Sequence, residues 1–413
     1  MSLTIGIDVG GTKVAAGVVD SGGRIIERLK RSTPSASPEK TAQVIADVVL
    51  ELLGRHRAKA IGIGAAGFVD EARSGVLFAP NLAWRDEPLR RQVEECVGLP
   101  VVVENDANAA AWAETILGAA RGHDHVILIA VGTGIGAGII INGQLYRGRW
   151  GVAGEPGHYR VVPDGRLCGC GNRGCWEQYA SGSALVAEAR EFARRSPGPA
   201  VRLLQLAGGV VEGIDGTAVT EAAHEGDAAA LRCFEIVGGW LGQGLAALAA
   251  ILDPGCFVIG GGVSEAGDLL IGPARAAFAD ALTGGTHRRH ADIRLAELGA
   301  DAGLIGAADL ARRSLACGPA HAQTRRPNLR HAQPQPADLG RADLERAAVR
   351  RAGTGSLDGQ RPQSTAPLSG PAPRDGPSPR RSTSTANPPT NAITARSAAQ
   401  PGTVQPMSVA RSR

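Results

Sequence analysis

The runs LTIGIDVGGTKVAAGVV (residues 3–19) and VILIAVGTGIGAGIIING (residues 126–143) read as one device used twice. Each sets a short β-rich segment before a glycine-rich turn and a second β-rich segment after it, which is the pattern of a β-hairpin. Gly10 and Gly11 permit positive φ and let backbone N–H groups approach an anion, while Thr12 and Lys13 add a hydroxyl and a charge. Gly132, Thr133, Gly134 and Gly136 repeat the arrangement about a domain's length later. One such turn is equally an ordinary hairpin turn. Two in corresponding places predict a duplicated α/β fold whose halves face a shared cleft.

Outward from the first hairpin, the turn Ser21-Gly22-Gly23 leads into RIIERLK, a third antiparallel strand. Pro38 to Leu53 has helical periodicity, with Ala42, Ile45, Ala46, Val49 and Leu53 on one face. AIGIGAA (residues 60–66) reads as a fully buried strand. A strand at Val101 to Val103 runs through Glu104, Asn105 and Asp106 into an Ala-rich helix from Ala107 to Leu117. Asn105 and Asp106 thus stand at a strand's carboxyl end, where open α/β sheets bind ligands, although Asn or Asp there is also a common helix cap. Outward from the second hairpin, the pattern predicts a helix over 182–194, a looser region over 197–216 and a long amphipathic helix from about 227 to 252. A strand at Cys256 to Ile259 breaks at Gly260, Gly261 and Gly262, a turn placed to pass beneath a nucleoside. IRLAEL (residues 293–298) reads as a strand and Ala302 to Arg313 as a helix.

GEPGHYRVVPDGRLCGCGNRGCWEQYASG (residues 154–182) carries different chemistry. His158, Cys168, Cys170 and Cys175 offer one imidazole and three thiols, a set that closes a tetrahedral zinc shell. With all four positions filled by protein, such an ion is structural. Glu155 and Glu177 flank the ligands, so a bound metal would hold two carboxylates rigid, which suits recognition of sugar hydroxyls. Clustered Cys can also be a disulfide framework. The absence of a secretory leader and the single spacing of Cys96, Cys233, Cys256 and Cys317 favour metal.

A chain of 413 residues has room for two or three domains. The formal charge of +4 comes from Arg residues beyond Thr324, which leaves the body slightly acidic and without a nucleic-acid surface. Met1 leads straight into a strand, and no apolar run reaches transmembrane length; both point to a soluble, cytoplasmic protein. Residues 317–413 are rich in Pro, Ser, Thr, Ala, Gln and Arg and are expected to be a disordered tail, with ADLERAAVRRA from Ala342 transiently helical.

With these elements in place, the sequence resembles the ROK family of sugar kinases, and within it the ATP-dependent glucokinases of bacteria, from about Leu3 to Arg313. The residues that carry the resemblance are IDVGGTK, GAAGFVD, ENDANAAA, GTGIGAGI, GEPGH, CGCGNRGCWE and GGGV. It implies an α/β, actin-like (ribonuclease H-like) ATPase fold, with two domains around a central cleft. Residues 1–116, completed by the helix of 300–316, would form the small domain and 117–299 the large one. It implies transfer of the terminal phosphate of ATP to the 6-hydroxyl of D-glucose, with Asp106 as general base. Sugar contacts follow from Gly67, Asn105, Glu155, His158 and Glu177, with Asn81 as an additional one, and zinc on His158, Cys168, Cys170 and Cys175. ATP phosphates fall near Gly10 to Lys13 and Gly132 to Gly136, with Asp8 near magnesium. Partners implied are glucose, ATP and further copies of the chain in a homodimer or homotetramer, with no nucleic acid and no membrane. The alternatives are another ROK hexose kinase acting on fructose, N-acetylmannosamine or N-acetylglucosamine, a polyphosphate-using kinase, or a sugar-responsive regulator without catalysis. Three departures stand out: Ala66 where the family often has Pro, Ala137 for a common Gly, and Pro156, which biases Glu155 toward an extended backbone.

Overall fold

The computed structural model describes residues 2–317. The expected tail lies outside the described residues, save for Cys317, where the last helix ends. The chain opens with β1 (Leu3–Val9), β2 (Lys13–Val19), β3 (Ile25–Ser32), α1 (Pro38–Leu53) and β4 (Ala58–Ala65). There follow β5 (Phe68–Val69), β6 (Val76–Phe78), β7 (Arg85–Glu87), α2 (Leu89–Val97), β8 (Val101–Asn105) and α3 (Asp106–Ile116). They build a five-stranded sheet in the order β3-β2-β1-β4-β8 and a small sheet β5-β6-β7. The β1–β2 hairpin is antiparallel, whereas β1–β4 and β4–β8 are parallel.

The second half repeats the plan. β9 (Val126–Val131), β10 (Ile135–Ile141) and β11 (Gln144–Tyr146) precede α4 (Glu177–Ala180), α5 (Gly182–Arg195), α6 (Val201–Leu206), α7 (Gly216–His224) and α8 (Ala228–Leu252). The chain then runs through β12 (Cys256–Gly260), α9 (Asp268–Ala281), β13 (Asp292–Leu295) and α10 (Ala302–Cys317). The sheet order is β11-β10-β9-β12-β13, again an antiparallel hairpin followed by parallel strands.

Local sequence accounts for most of these elements. Ser37 caps α1 by accepting from the Lys40 N–H, and Pro38 occupies the first turn, where its missing N–H costs nothing. Leu52 and Val48 are buried alongside the expected stripe, while Leu53 is only partly covered. Ser181, Asp215 and Asp227 cap α5, α7 and α8 in the same way. Ile5, Ile7, Val9, Ile61 and Ile63 are fully buried and form the centre of the first core with α1 and α2. Ile127, Ile129, Phe257 and Ile259 anchor the second core under α5, α7, α8 and α9.

Two readings need correction. The region expected to be loose, 197–216, contains α6 and the first residue of α7; α6 is only six residues long, too short to show a helical period. The helix α8 is also long and apolar enough to cross a membrane, contrary to the expectation that no run is. One face of it belongs to the second core, where Cys233, Phe234, Val237, Leu241 and Leu245 are buried.

The helices α3 and α10 lie between the two sheets and set the spacing of the cleft. Gly62 lets α10 onto β4, since a Cβ there would stand 1.8 Å from the Ala307 carbonyl oxygen. Gly138 does the same for α3 on β10, where a Cβ would meet Ala111 Cβ at 2.4 Å. The buried carboxylate of Glu114 ties both chain crossings between the halves. Its Oε2 accepts from Ala119 N at 2.8 Å and Glu297 N at 3.2 Å, and its Oε1 from Leu298 N at 2.8 Å.

Candidate active site

β8 delivers two adjacent polar residues to the start of α3. Asn105 is the helix cap, its Oδ1 accepting from Asn108 N at 2.9 Å, while its Nδ2 donates to the Gly67 carbonyl at 3.2 Å and to Asp106 Oδ1 at 3.1 Å. The cap reading of Asp106 is thereby displaced onto its neighbour. Asp106 sits inside the first turn, where Oδ1 accepts the Ala107 N–H at 2.9 Å. Burial, with the nearby Asp8 charge adding to it, pushes its carboxyl up to about 6. Asp8 is itself raised by burial, against the pull of Lys13. The Glu155 carboxyl is pushed up to about 7 by burial first and then by the charges of Asp106 and Glu177. Asp8 and Asp106 adjoin, since Asp8 Oδ1 and the Asp106 carbonyl oxygen lie 3.7 and 3.8 Å from a Cβ position on Gly303.

Glu177 is fixed by the second hairpin. Its Oε2 accepts the Ile135 N–H at 2.9 Å, and a Cβ on Gly134 would stand 2.2 Å from that oxygen. Only glycine at 134 admits the carboxylate. On its other side Glu177 Oε1 lies 3.8 Å from Cys168 Sγ. The donor atoms of His158, Cys168, Cys170 and Cys175 all fall within 4.8 Å of one another, with His158 Nδ1 to Cys168 Sγ and Cys170 Sγ to Cys175 Sγ both at 3.6 Å. Ligand bonds of about 2.0–2.3 Å in a tetrahedron put donors roughly 3.3–3.8 Å apart, so the set fits a zinc ion. Pro156 does not extend Glu155 as expected. It opens a 3-10 turn, Pro156–His158, and Glu155 takes φ −109° and ψ 51° at its start, where a proline ring is tolerated.

Around the first glycine turn, Gly10 N donates to Lys13 O at 3.0 Å and Thr33 Oγ1 to Gly10 O at 2.8 Å. Thr12 and Lys13 are exposed at its tip. Asn81 packs here, since a Cβ on Gly11 would meet Asn81 Cβ and O at 3.1 Å. Gly67 is pressed against the Phe78 carbonyl, 2.5 Å from where a Cβ would be.

Beside the second turn opens a cavity of about 1080 Å³. Gly132, Thr133 and Gly262 line it, together with Ser183 and Val186 of α5 and Thr217, Thr220, Glu221 and His224 of α7. The sequence reading missed the wall that α7 supplies. Its signal was available in the Asp215 cap followed by Ala218, Val219, Ala222 and Ala223, the helix's buried face. Gly260 and Gly261 are not in the lining. Gly261 has φ 85° and backs onto Val131, and Gly260 lies under Ala296.

Two hairpin-led sheets of the same strand order with a helical layer between them define the actin-like ATPase architecture. The chain belongs to the ROK family, whose model matches residues 4–314. It is 53% identical over 312 residues to the glucokinase of Streptomyces coelicolor, covering 76% of this chain and 98% of that one. Similarity to the glucokinase of Thermotoga maritima is 36% over 311 residues, 74% of this chain and 96% of that one. Among solved structures, a ROK family glucokinase from Streptomyces griseus in complex with glucose and AMPPNP is 55% identical. It superposes with a TM-score of 0.70 over 76% of this chain and 100% of that one.

Proposed function

We propose that this chain is a glucokinase, transferring the terminal phosphoryl group of ATP to the 6-hydroxyl of D-glucose in the cytoplasm. The observation that carries the reading is Asp106. It is a carboxylate at a helix N-terminus, held near pKa 6 and grouped with Glu155, Asn105 and the Gly67 carbonyl. A base poised there is ionised at neutral pH yet basic enough to take a hydroxyl proton. The 53% identity to a glucokinase over nearly that protein's whole length supports glucose as the acceptor.

In this mechanism Asn105, Glu155, His158 and Glu177 hold the sugar hydroxyls, with Gly67 and Asn81 at the edge of the site. Asp106 accepts the 6-hydroxyl proton as the oxygen attacks the terminal phosphorus, the bond from that phosphorus to the bridging oxygen breaks, and ADP leaves. ATP occupies the cavity beside the second turn, its phosphates facing the backbone of Gly132–Gly136 and of Gly10–Lys13, where N–H dipoles take up developing charge. Asp8 would hold a magnesium ion, which would supply neutralising charge to the phosphates. His158, Cys168, Cys170 and Cys175 would hold a zinc ion, which would brace the chain between Glu155 and Glu177. Residues 1–116 with the last helix, and residues 117–299, act as two domains that close on the sugar and exclude water, which suppresses ATP hydrolysis.

A coupled assay of the purified chain tests the reading, with glucose, fructose, N-acetylmannosamine and N-acetylglucosamine as acceptors and ATP or polyphosphate as donors. Glucose with ATP should give the highest kcat/KM. A larger value for any other pair would replace glucose or ATP in the assignment, and no transfer to any hexose would remove the kinase reading.

A further inference from the structure

Glu104 stands immediately before the two residues that carry the sugar chemistry, and only 1% of its side chain is exposed. A buried carboxylate is costly unless its oxygens are fully engaged. Here Oε1 accepts three donors: the Asn105 N–H at 3.0 Å, Asn108 Nδ2 at 3.1 Å and Arg147 Nε at 3.0 Å. Oε2 accepts no hydrogen bond among the described residues, but Arg73 Nε lies 2.9 Å from it and adds a second positive charge. Arg147 comes from the opposite half of the molecule, just beyond β11, yet all its side-chain partners belong to the first half. Besides Glu104, its guanidinium donates to Asp70 O at 2.8 Å, Glu71 O at 3.1 Å and Val69 O at 3.4 Å.

Arg147 opens the loop that leads to Glu155. Its carbonyl accepts from Ala153 N at 3.1 Å, which closes residues 147–153 into a compact turn. Gly151, with φ 87°, lies so close to the Val69–Glu71 backbone that a Cβ would approach it to 2.7 Å. At the far end of the loop, Gly154, with φ 100°, lies against β10, the Ala137 carbonyl oxygen standing 3.2 Å from the Cβ position. The first end of the loop is therefore keyed to Glu104 through Arg147, and its middle to the backbone that Arg147 also grips. The residue after Gly154 is Glu155. On the other side of Glu104 the chain passes through Asn105 to Asp106.

From this geometry we infer that Glu104 and Arg147 are a positioning pair, which fixes the separation of Asp106 and Glu155 across the two halves of the molecule. Neither residue touches the sugar. The inference rests on the kinase reading, because it assigns the pair its task in that reaction. The pair acts on the sugar side alone, since the cavity beside the second turn shares no lining residue with it.

Conservative variants test the pair by steady-state kinetics on the full chain. Glu104→Gln keeps size and an acceptor oxygen but removes the charge. Arg147→Lys keeps the charge but loses the planar fork that reaches four acceptors at once. Each variant should lower kcat/KM for glucose roughly 10- to 100-fold, the range expected when reacting groups shift by about 1 Å. The KM for ATP should stay within about twofold, and the double variant should be no worse than the poorer single one, because the two losses are one interaction. Single variants with glucose kinetics within about twofold of the wild type would overturn the inference. So would equal losses toward glucose and ATP, which mark general unfolding, or fully multiplicative losses in the double variant. A wild type that phosphorylates no hexose would overturn the kinase reading itself and the pair's task with it, whereas an active wild type with unaffected variants overturns the pair alone.

Discussion

In the first sheet the residue two places before the glycine turn is Asp8; in the second it is Ala130. The outermost parallel strand of the first sheet, β8, ends on Asn105 and hands the chain to Asp106. Its counterpart β13 ends on Leu295 and is followed by Ala296. Strand order and pairing are the same in both halves, so the backbone offers two similar turns to an anion. Side chains then make the halves unlike. Strand ends of the first sheet supply two adjoining carboxylates, while the second sheet supplies a cavity. The second turn also spends one backbone donor, Ile135 N–H, on Glu177, which anchors a sugar-side carboxylate to the nucleotide side. Duplication thus fixes where ligands lie, and a few substitutions at strand ends divide the chemistry between them.

The division is broken most severely at Asp106. Because Asn105 is the cap, Asp106→Asn leaves the start of α3 intact, and thermal stability should not fall. Glucose should still bind, since an amide retains a hydrogen bond to a hydroxyl. Loss of the base should lower kcat roughly 100-fold or more. The wild type should also show an acid limb. The base works only when ionised, so the rate falls about tenfold per pH unit below about 6 and levels off above it. That limb should vanish in the variant. A kcat within about threefold of the wild type would assign proton removal to another group.

What the sequence made legible was local chemistry. The glycine turns, the stripe of α1 and the spacing of His158, Cys168, Cys170 and Cys175 each declare themselves within a few residues. Less legible were features made by distant partners. Glu104 and Arg147 are 43 positions apart, and nothing near either one announces the pair. The cap and buried stripe of α7 were local signals, but that its opposite face walls a cavity depends on where α5 and Gly262 lie, which no local pattern announces. Gly260 to Gly262 read as one ligand-facing unit, yet their roles depend on which backbone each approaches. The role of base proposed for Asp106 came only through resemblance, since a strand followed by Asn-Asp and a helix is as good a cap as a site.

A milder way to sharpen the contrast is to loosen the sugar side while leaving both sheets in place. Cys170→Ser removes one ligand of the proposed zinc shell, and elemental analysis of the purified wild type should find zinc that the variant lacks. Glu155 and Glu177 then lose a shared support, although Glu177 keeps its bond to the Ile135 N–H. The KM for glucose should rise roughly 10- to 100-fold, as when the supporting partners of a metal site are removed. The KM for ATP should change far less. A wild type without zinc, or a variant whose glucose KM is unaltered, would separate the Cys cluster from sugar binding.

The smallest expected effect lies on the nucleotide side, in two adjacent glycines. Gly262 lines the cavity, has no atom within 4 Å of a Cβ position and needs no positive φ. Gly262→Ala therefore folds normally and places one methyl group at the cavity wall. The KM for ATP should rise roughly two- to fivefold, a cost below about 1 kcal/mol, with glucose KM unchanged. Gly261→Ala is the control, because φ 85° disfavours a side chain and the Val131 carbonyl oxygen lies 2.5 Å from the Cβ position. That variant should lose thermal stability, and any kinetic change should follow its folded fraction. If Gly262→Ala raised glucose KM as much as ATP KM, the second turn would be serving both substrates, and the division between the halves would not hold.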